Sequence, residues 1–301
     1  METQILSTVP FRFKGIHGCD AIVAAPISFN FAREILEFVE VSLKIRAFDL
    51  FNIPSFSKKL AEGSATVTSS LDLASNKHGI NQVVLFKHSD VGPHGSRRFS
   101  SGFEEDCYHK VQLFDAKRRI TKKYRDVKVS MIYVRLVNND TEIEFAEVFE
   151  DGRERIRLVT EYRFKNVFHV ETAVLMCMDF RFRRESRACV RYSLGCEHFE
   201  LIGLPGASKR FIEQSPSAQK AIQHSVRNHG VKHFILIHHA DCGAYGGKFE
   251  CAGPDEEFAM HANEMAACEK FLLEQYPFLS VDKVYAKLIE DDEKIQYLKI
   301  K

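Results

Sequence analysis

The chain repeats itself once. Adding 151 to a residue number in the first half lands on its counterpart in the second: FRFK at 11–14 meets YRFK at 162–165, and ISFNFARE at 27–34 meets MDFRFRRE at 178–185. FDLFNIPSFSK at 48–58 meets FELIGLPGASK at 199–209, and HGINQVVLFKHSDVGPHG at 78–95 meets HGVKHFILIHHADCGAYG at 229–246. From Arg12 to Gly95 the copies agree at 25 of 84 positions without a gap. Unrelated sequences of this composition would agree at about one position in sixteen. After a one-residue slip, IYVRLVNND at 132–140 meets VYAKLIEDD at 284–292. A repeat this long requires two units of one fold, residues 1–150 and 151–301.

Each unit reads as α/β. In the second, the apolar run Thr172–Cys177, the run His198–Ile202 and the run His233–Ile237 read as strands. Between them lie an Arg-rich segment and a helical stretch from Ser217 to His229 that ends at Gly230, a plausible cap. A further helix over Pro254–Gln275 precedes a strand at Val284–Ile289, and a last strand at Ile295–Ile300 is placed to pair antiparallel. Apolar strands alternating with helices predict a mainly parallel sheet covered on both faces. Between the copies, Phe149–Ile156 carries an Asp-Gly turn and reads as a hairpin. With no Pro/Gly/Ser-rich linker, the two units are expected to pack tightly as a pseudo-dimer.

Composition removes several classes. Lys and Arg total 42 against 41 Asp and Glu, and each half is close to neutral, so no nucleic-acid surface is expected. The longest apolar runs, such as Phe234–Ile237, are too short for a bilayer. No signal peptide is evident at the N-terminus, and the expectation is a cytoplasmic protein whose eight cysteines are reduced or bound to metal.

In the second copy the first strand ends in Cys177-Met-Asp-Phe-Arg181, and the third ends in His239-Ala-Asp-Cys242-Gly243. If these strands are neighbours, their carboxyl ends form the ligand crevice of a doubly wound sheet. Cys177, His239 and Cys242 would then converge. Two thiolates and an imidazole suit zinc, and three protein ligands leave a fourth position open for chemistry. The plainer alternative is that the cysteines are small buried hydrophobes and His239 a hydrogen-bonded loop residue.

Cys-x-Asp-x-Arg followed some sixty residues later by His-x-x-Cys-Gly resembles the β-class carbonic anhydrases. The likeness covers the framework of residues 172–247 and extends beyond it by element order only. It implies a parallel α/β sheet with an added antiparallel edge. It implies one zinc per chain on Cys177, His239 and Cys242, with Asp179 and Arg181 as a catalytic dyad. The implied reaction is the reversible hydration of carbon dioxide to bicarbonate by a hydroxide that the metal generates near neutral pH. Asp179 would orient that nucleophile while paired with Arg181, or block the metal when released. Such enzymes are intimate dimers that assemble further, sometimes as tandem fusions, so oligomers of the pseudo-dimer are expected. Pockets in that family borrow an aromatic from the partner. This makes Phe48, the counterpart of Phe199, the candidate to line the pocket beside Gly243. Two positions depart from the pattern: Phe180 stands where a small residue is usual, and Gly203-Leu-Pro-Gly-Ala-Ser208 replaces an Arg-Asn-Ala-Gly stretch. Carbonyl sulfide or carbon disulfide hydrolysis, and a catalytically silent zinc scaffold or bicarbonate-responsive protein, are the rival readings.

The first copy has lost this constellation. Pro26 stands for Cys177, Ser28 for Asp179, Asn30 for Arg181 and Val91 for Cys242, while His88 keeps the place of His239. It reads as a structural partner. His88, His94, Cys107 and His109 match no ligand spacing and are expected on solvent-facing loops. The cluster Arg181, Arg183, Arg184, Arg187 and Arg191 is expected to form the solvated basic face of a helix, with a specific role for Arg181 alone.

Overall fold

The computed structural model describes residues 2–27, 29–54, 56–89, 99–163, 167, 169–209 and 216–301. Ser28, Val91 and His94, named above, lie outside them. In the first copy the order is β1 (Thr3–Pro10), β2 (Ala21–Ala25), α1 (Phe29–Glu37), β3 (Phe48–Asn52), α2 (Phe56–Ala61), α3 (Ala65–His78), β4 (Gln82–His88), α4 (Gly102–Lys123), β5 (Lys128–Val137) and β6 (Glu142–Val148). The second copy runs β7 (Glu154–Glu161), β8 (Thr172–Cys177), α5 (Phe180–Tyr192), β9 (Glu200–Leu204), α6 (Pro216–His229), β10 (His233–His239), α7 (Pro254–Gln275), β11 (Ser280–Ile289) and β12 (Lys294–Ile300).

These elements build two six-stranded sheets, ordered β3-β2-β4-β5-β6-β7 and β9-β8-β10-β11-β12-β1. In each, four strands are parallel and two at one edge antiparallel. The fold class expected from the repeat is therefore the one observed. The central strands β2 and β8 are buried at every position, which is why they read as unbroken apolar runs rather than alternating ones.

The edge strands hold a feature that the repeat alone does not announce. β1 opens the first copy but pairs with β12 of the second, Thr3 opposite Ile300. Its counterpart β7 opens the second copy but pairs with β6 of the first, Glu142 opposite Glu161. The copies exchange their first strands. The expected hairpin over Phe149–Ile156 is present, closed by Phe149 N–H to Arg153 O at 2.9 Å, and it is the arm of this exchange.

A second junction lies where β3 crosses β9. Leu50 N–H donates to Met178 O at 3.0 Å, between Cys177 and Asp179. A side chain at Gly203 would bring its Cβ within 2.2 Å of Leu50 O, so the approach of the two strands requires glycine there. Both apolar layers draw on both copies: Ile22 and Phe51 share one with Leu175 and Leu236, and Phe31 and Phe38 share the other with Val174 and Phe182. The core is continuous across the repeat. No helix among the described residues is long and apolar enough to cross a membrane.

Candidate metal centre

β8 and β10 are hydrogen-bonded neighbours, and the strand order reverses between them: β8 leads through α5 to β9 on one side, and the chain returns to β10 on the other. Their carboxyl ends therefore form the crevice where such sheets bind ligands. Cys177 closes β8, His239 closes β10, and Cys242 follows one short turn later. The potential ligand atoms of these three buried residues all lie within 4.8 Å of one another. The two sulfurs are 3.8 Å apart.

The surroundings orient each donor. Nδ1–H of His239 donates to Ala240 O at 2.8 Å, which leaves Nε2 free to face the sulfurs; that nitrogen is buried without a hydrogen-bond partner. Phe182 stacks on the His239 ring at 4.2 Å between centroids and fixes its plane. Gly206 N–H donates to Cys177 Sγ at 3.4 Å. Gly206 has a left-handed φ of 68°, and a Cβ there would stand 3.0 Å from that of Ala244. The unusual Gly-Leu-Pro-Gly stretch thus places a backbone donor on the ligand sulfur. The Cys177 thiol is pushed well above its usual range by its hydrogen bond with Cys242 and by burial, so a cation binding here displaces protons. An orphaned imidazole nitrogen between two buried thiols is a donor set that fits a metal ion.

Asp179 caps the N-terminus of α5, accepting Arg181 N–H at 3.0 Å. The Arg181 guanidinium returns to it through Nε at 3.1 Å and Nη2 at 2.7 Å, and reaches Asp241 with Nη1 at 2.7 Å. Burial opposes the charge on Asp179, but the Arg181 guanidinium, followed by His239, holds its carboxyl well below the usual range. Asp179 Oδ2 lies 3.8 Å from His239 Nε2. The five residues singled out in the second copy are therefore brought together.

The first copy reaches this site in ways that the sequence reading missed. Asp49 accepts Phe180 N–H at 3.2 Å and pairs with His78 at 2.6 Å. His17 Nδ1 stands 3.3 Å from Arg181 Nη1 at the exposed mouth. Phe48, the adjacent residue, turns to the opposite face of β3, fully buried, with the Arg183 guanidinium 3.8 Å from its ring centroid. Gly243 begins the turn after Cys242, with Lys77 of α3 3.9 Å from where its Cβ would be. A signal for the acid–His pair was present in the repeat: Glu200 and His229, 151 residues on, form the same pair at 3.0 Å.

Cys19, Asp49 and His78 form a second buried group with metal-ligating atoms. Asp49 and His78 pair with each other, and Cys19 Sγ donates outside the group, to Ala21 O at 3.4 Å. Because its Glu200–His229 counterpart has Val170 in place of Cys19, we read it as a structural pair. In the degenerate copy, His88 keeps the local geometry of His239, with Nδ1–H on Ser89 O at 2.7 Å and its ring 4.7 Å from that of Phe31. Pro26 offers it no donor.

Two expectations need correction. His88 ends β4, and Cys107 and His109 lie on α4 rather than on loops; His109 is buried, with its ring 5.9 Å from that of Tyr133. The basic face of α5 is not fully solvated either: Arg183 is buried against Phe48 and bonded to Glu40 at 3.2 Å, and Arg187 and Arg191 are half-buried. Its neighbour is the first copy, which covers it.

Part of the chain is similar to known proteins. A family model described as "Putative carbonic anhydrase" matches residues 168–297, which contain all five site residues. An uncharacterized protein of Rickettsia bellii (strain RML369-C) is 27% identical over 149 residues, covering 46% of this chain and 88% of that protein.

Proposed function

We propose that the chain is a zinc-dependent carbonic anhydrase that reversibly hydrates carbon dioxide to bicarbonate, with its chemistry confined to the second copy. The observation that carries this reading is the buried dyad: the Asp179 carboxylate, clamped by Arg181, stands 3.8 Å from the metal-facing nitrogen of His239. A purely structural metal site has no use for such a pair. Two thiolates and an imidazole select zinc, and three protein ligands leave it the open position of a catalytic ion. When bound, zinc supplies Lewis acidity that brings the pKa of a water to about 7.

The chain's own residues orient and exclude. Arg181 is held by both Asp179 and Asp241, so it fixes the Asp179 carboxylate as a rigid acceptor rather than a swinging arm. Ionised and aimed, Asp179 accepts a hydrogen bond from the attacking water and turns its lone pair toward carbon dioxide. Phe182 and Phe180, both buried, keep bulk water from this side. His238 is no proton carrier: burial and its His261 neighbour keep it neutral, and it holds Ser208 and His261 in place at 2.6 and 2.9 Å.

The test is metal content and stopped-flow carbon dioxide hydration on the purified chain, with sulfide release from carbonyl sulfide assayed in parallel. Asp179→Ala should keep its metal and lose about 10²-fold or more in turnover. Wild-type turnover in that variant would remove Asp179 from the mechanism, and a zinc-loaded wild type inert toward both substrates would leave a silent scaffold.

A further inference from the structure

The half-buried arginines of α5 surround a cavity that the proposed chemistry does not use. It has a volume of ≈ 540 Å³ and lies between α1 of the first copy and α5 with the approach to β9 in the second. Arg33, Arg187 and Arg191 line it, and Leu36, Phe199 and Leu201 supply apolar wall. Arg191 lies ten residues beyond Arg181 on the same helix, about 15 Å along its axis.

These guanidiniums are poorly compensated. Arg187 has no hydrogen bond or ion pair among the described residues. Arg191 Nε is buried without an acceptor, and its guanidinium lies 5.9 Å from the Phe199 ring. Among the described residues Arg33 pairs only with Glu37, 3.6 Å away one turn along an exposed face. The nearby acid Glu40 is bonded to Arg183 at 3.2 Å, and Glu197 stands at the exposed rim. Burial, then Arg183 and Arg191, lower the Arg187 pKa to about 10. Like charges gathered around a concave apolar wall are costly unless an anion joins them. Guanidinium forks match phosphate oxygens in pairs, and the volume is that of a small-molecule site. A concave pocket in a nearly neutral chain, rather than a basic stripe, argues for a small ligand and against a nucleic acid.

We propose that this cavity binds a small phosphate-bearing anion, with Arg187 and Arg191 on its oxygens and Arg33 at the mouth. The proposal stands independently of the reaction at the metal centre.

Titration calorimetry on the full-length, metal-loaded chain at fixed ionic strength tests it, with inorganic phosphate and phenyl phosphate as probes. Saturable binding of one anion per chain is expected, weakened about tenfold or more in Arg187→Gln and in Arg191→Gln. Ala32→Asp, which adds a carboxylate to the lining without removing an arginine, should weaken it similarly. Tighter binding of phenyl phosphate assigns an ester as the ligand, and tighter binding of inorganic phosphate assigns the free ion. Absence of saturable binding of either probe up to ~10 mM overturns the proposal, being weaker than any useful site. Unchanged affinity in all three variants also overturns it, since the anion would then sit elsewhere.

Discussion

The carboxylate of Asp49, in the first copy, accepts the backbone N–H of Phe180 in the second. Phe180 is flanked by Asp179 and Arg181, so this bond fixes the first turn of α5 and the dyad with it. His78 shares the same carboxylate, and that buried partner raises the His78 pKa against the cost of burial. Removing one member strands the other.

Asp49→Ala is therefore expected to lose about 3–5 kcal/mol of stability, as when one partner of a buried ion pair is deleted. Asp49→Asn keeps an oxygen for Phe180 N–H and should recover most of that loss. Denaturant unfolding gives the stabilities. If Asn is as damaging as Ala, the charge matters and the bond to Phe180 does not.

Each chain should bind one zinc, and Cys242→Ser should abolish it. Cys19→Ser should leave the count unchanged, because Asp49 and His78 already pair with each other and Cys19 donates to Ala21 O. Elemental analysis and anomalous scattering count the ions. Two tight sites per chain, reduced to one by Cys19→Ser, would make the second buried group a metal site after all.

Gly203→Ala tests the crossing of the copies. The added Cβ falls 2.2 Å from Leu50 O, a backbone atom with little freedom to retreat. A destabilisation of about 1–3 kcal/mol or more is expected from such overpacking. It should appear in urea unfolding as a lower midpoint with an unchanged slope.

Acid should weaken the fold from the ordinary histidine range downward. Burial lowers His88 to about 4 and His109 to about 3, so both are neutral in the native chain at pH 5. An unfolded chain binds protons on these rings as pH falls through the ordinary histidine value of about 6.5. Stability is thus full above that value and declines as pH drops toward 4. Melting temperatures between pH 7 and 4 should fall steadily, and His88→Gln should flatten part of the slope. An unchanged slope would mean that His88 is protonated in the native chain.

The strands, the two sheets and the convergence of Cys177, His239 and Cys242 were legible in the sequence, because apolar runs mark the strands, the repeat marks the two sheets, and the ligand types stand at the ends of two neighbouring strands. Strand exchange was not. β1 and β7 occupy equivalent places in the repeat, and either connection lets each sheet have its sixth strand. The sequence pattern is the same for both. Asp49 was missed for a related reason: successive side chains of a strand point to opposite faces, and only the angle at which β3 crosses β9 decides that Asp49 reaches Phe180 N–H while Phe48 packs against Arg183. The arginines of α5 were misread because a helix's basic face looks solvated until its neighbour is known.

The exchanged strands also bear on how the molecule comes apart. Melting either copy would pull an edge strand out of the other, so the two should denature in a single cooperative transition rather than one after the other. A fragment cut at Asp151 would strip β7 of its β6 partner and leave β12 without β1, a bare edge that invites self-association. The first copy is thus free to change its chemistry but not to be discarded. It is half of the clasp.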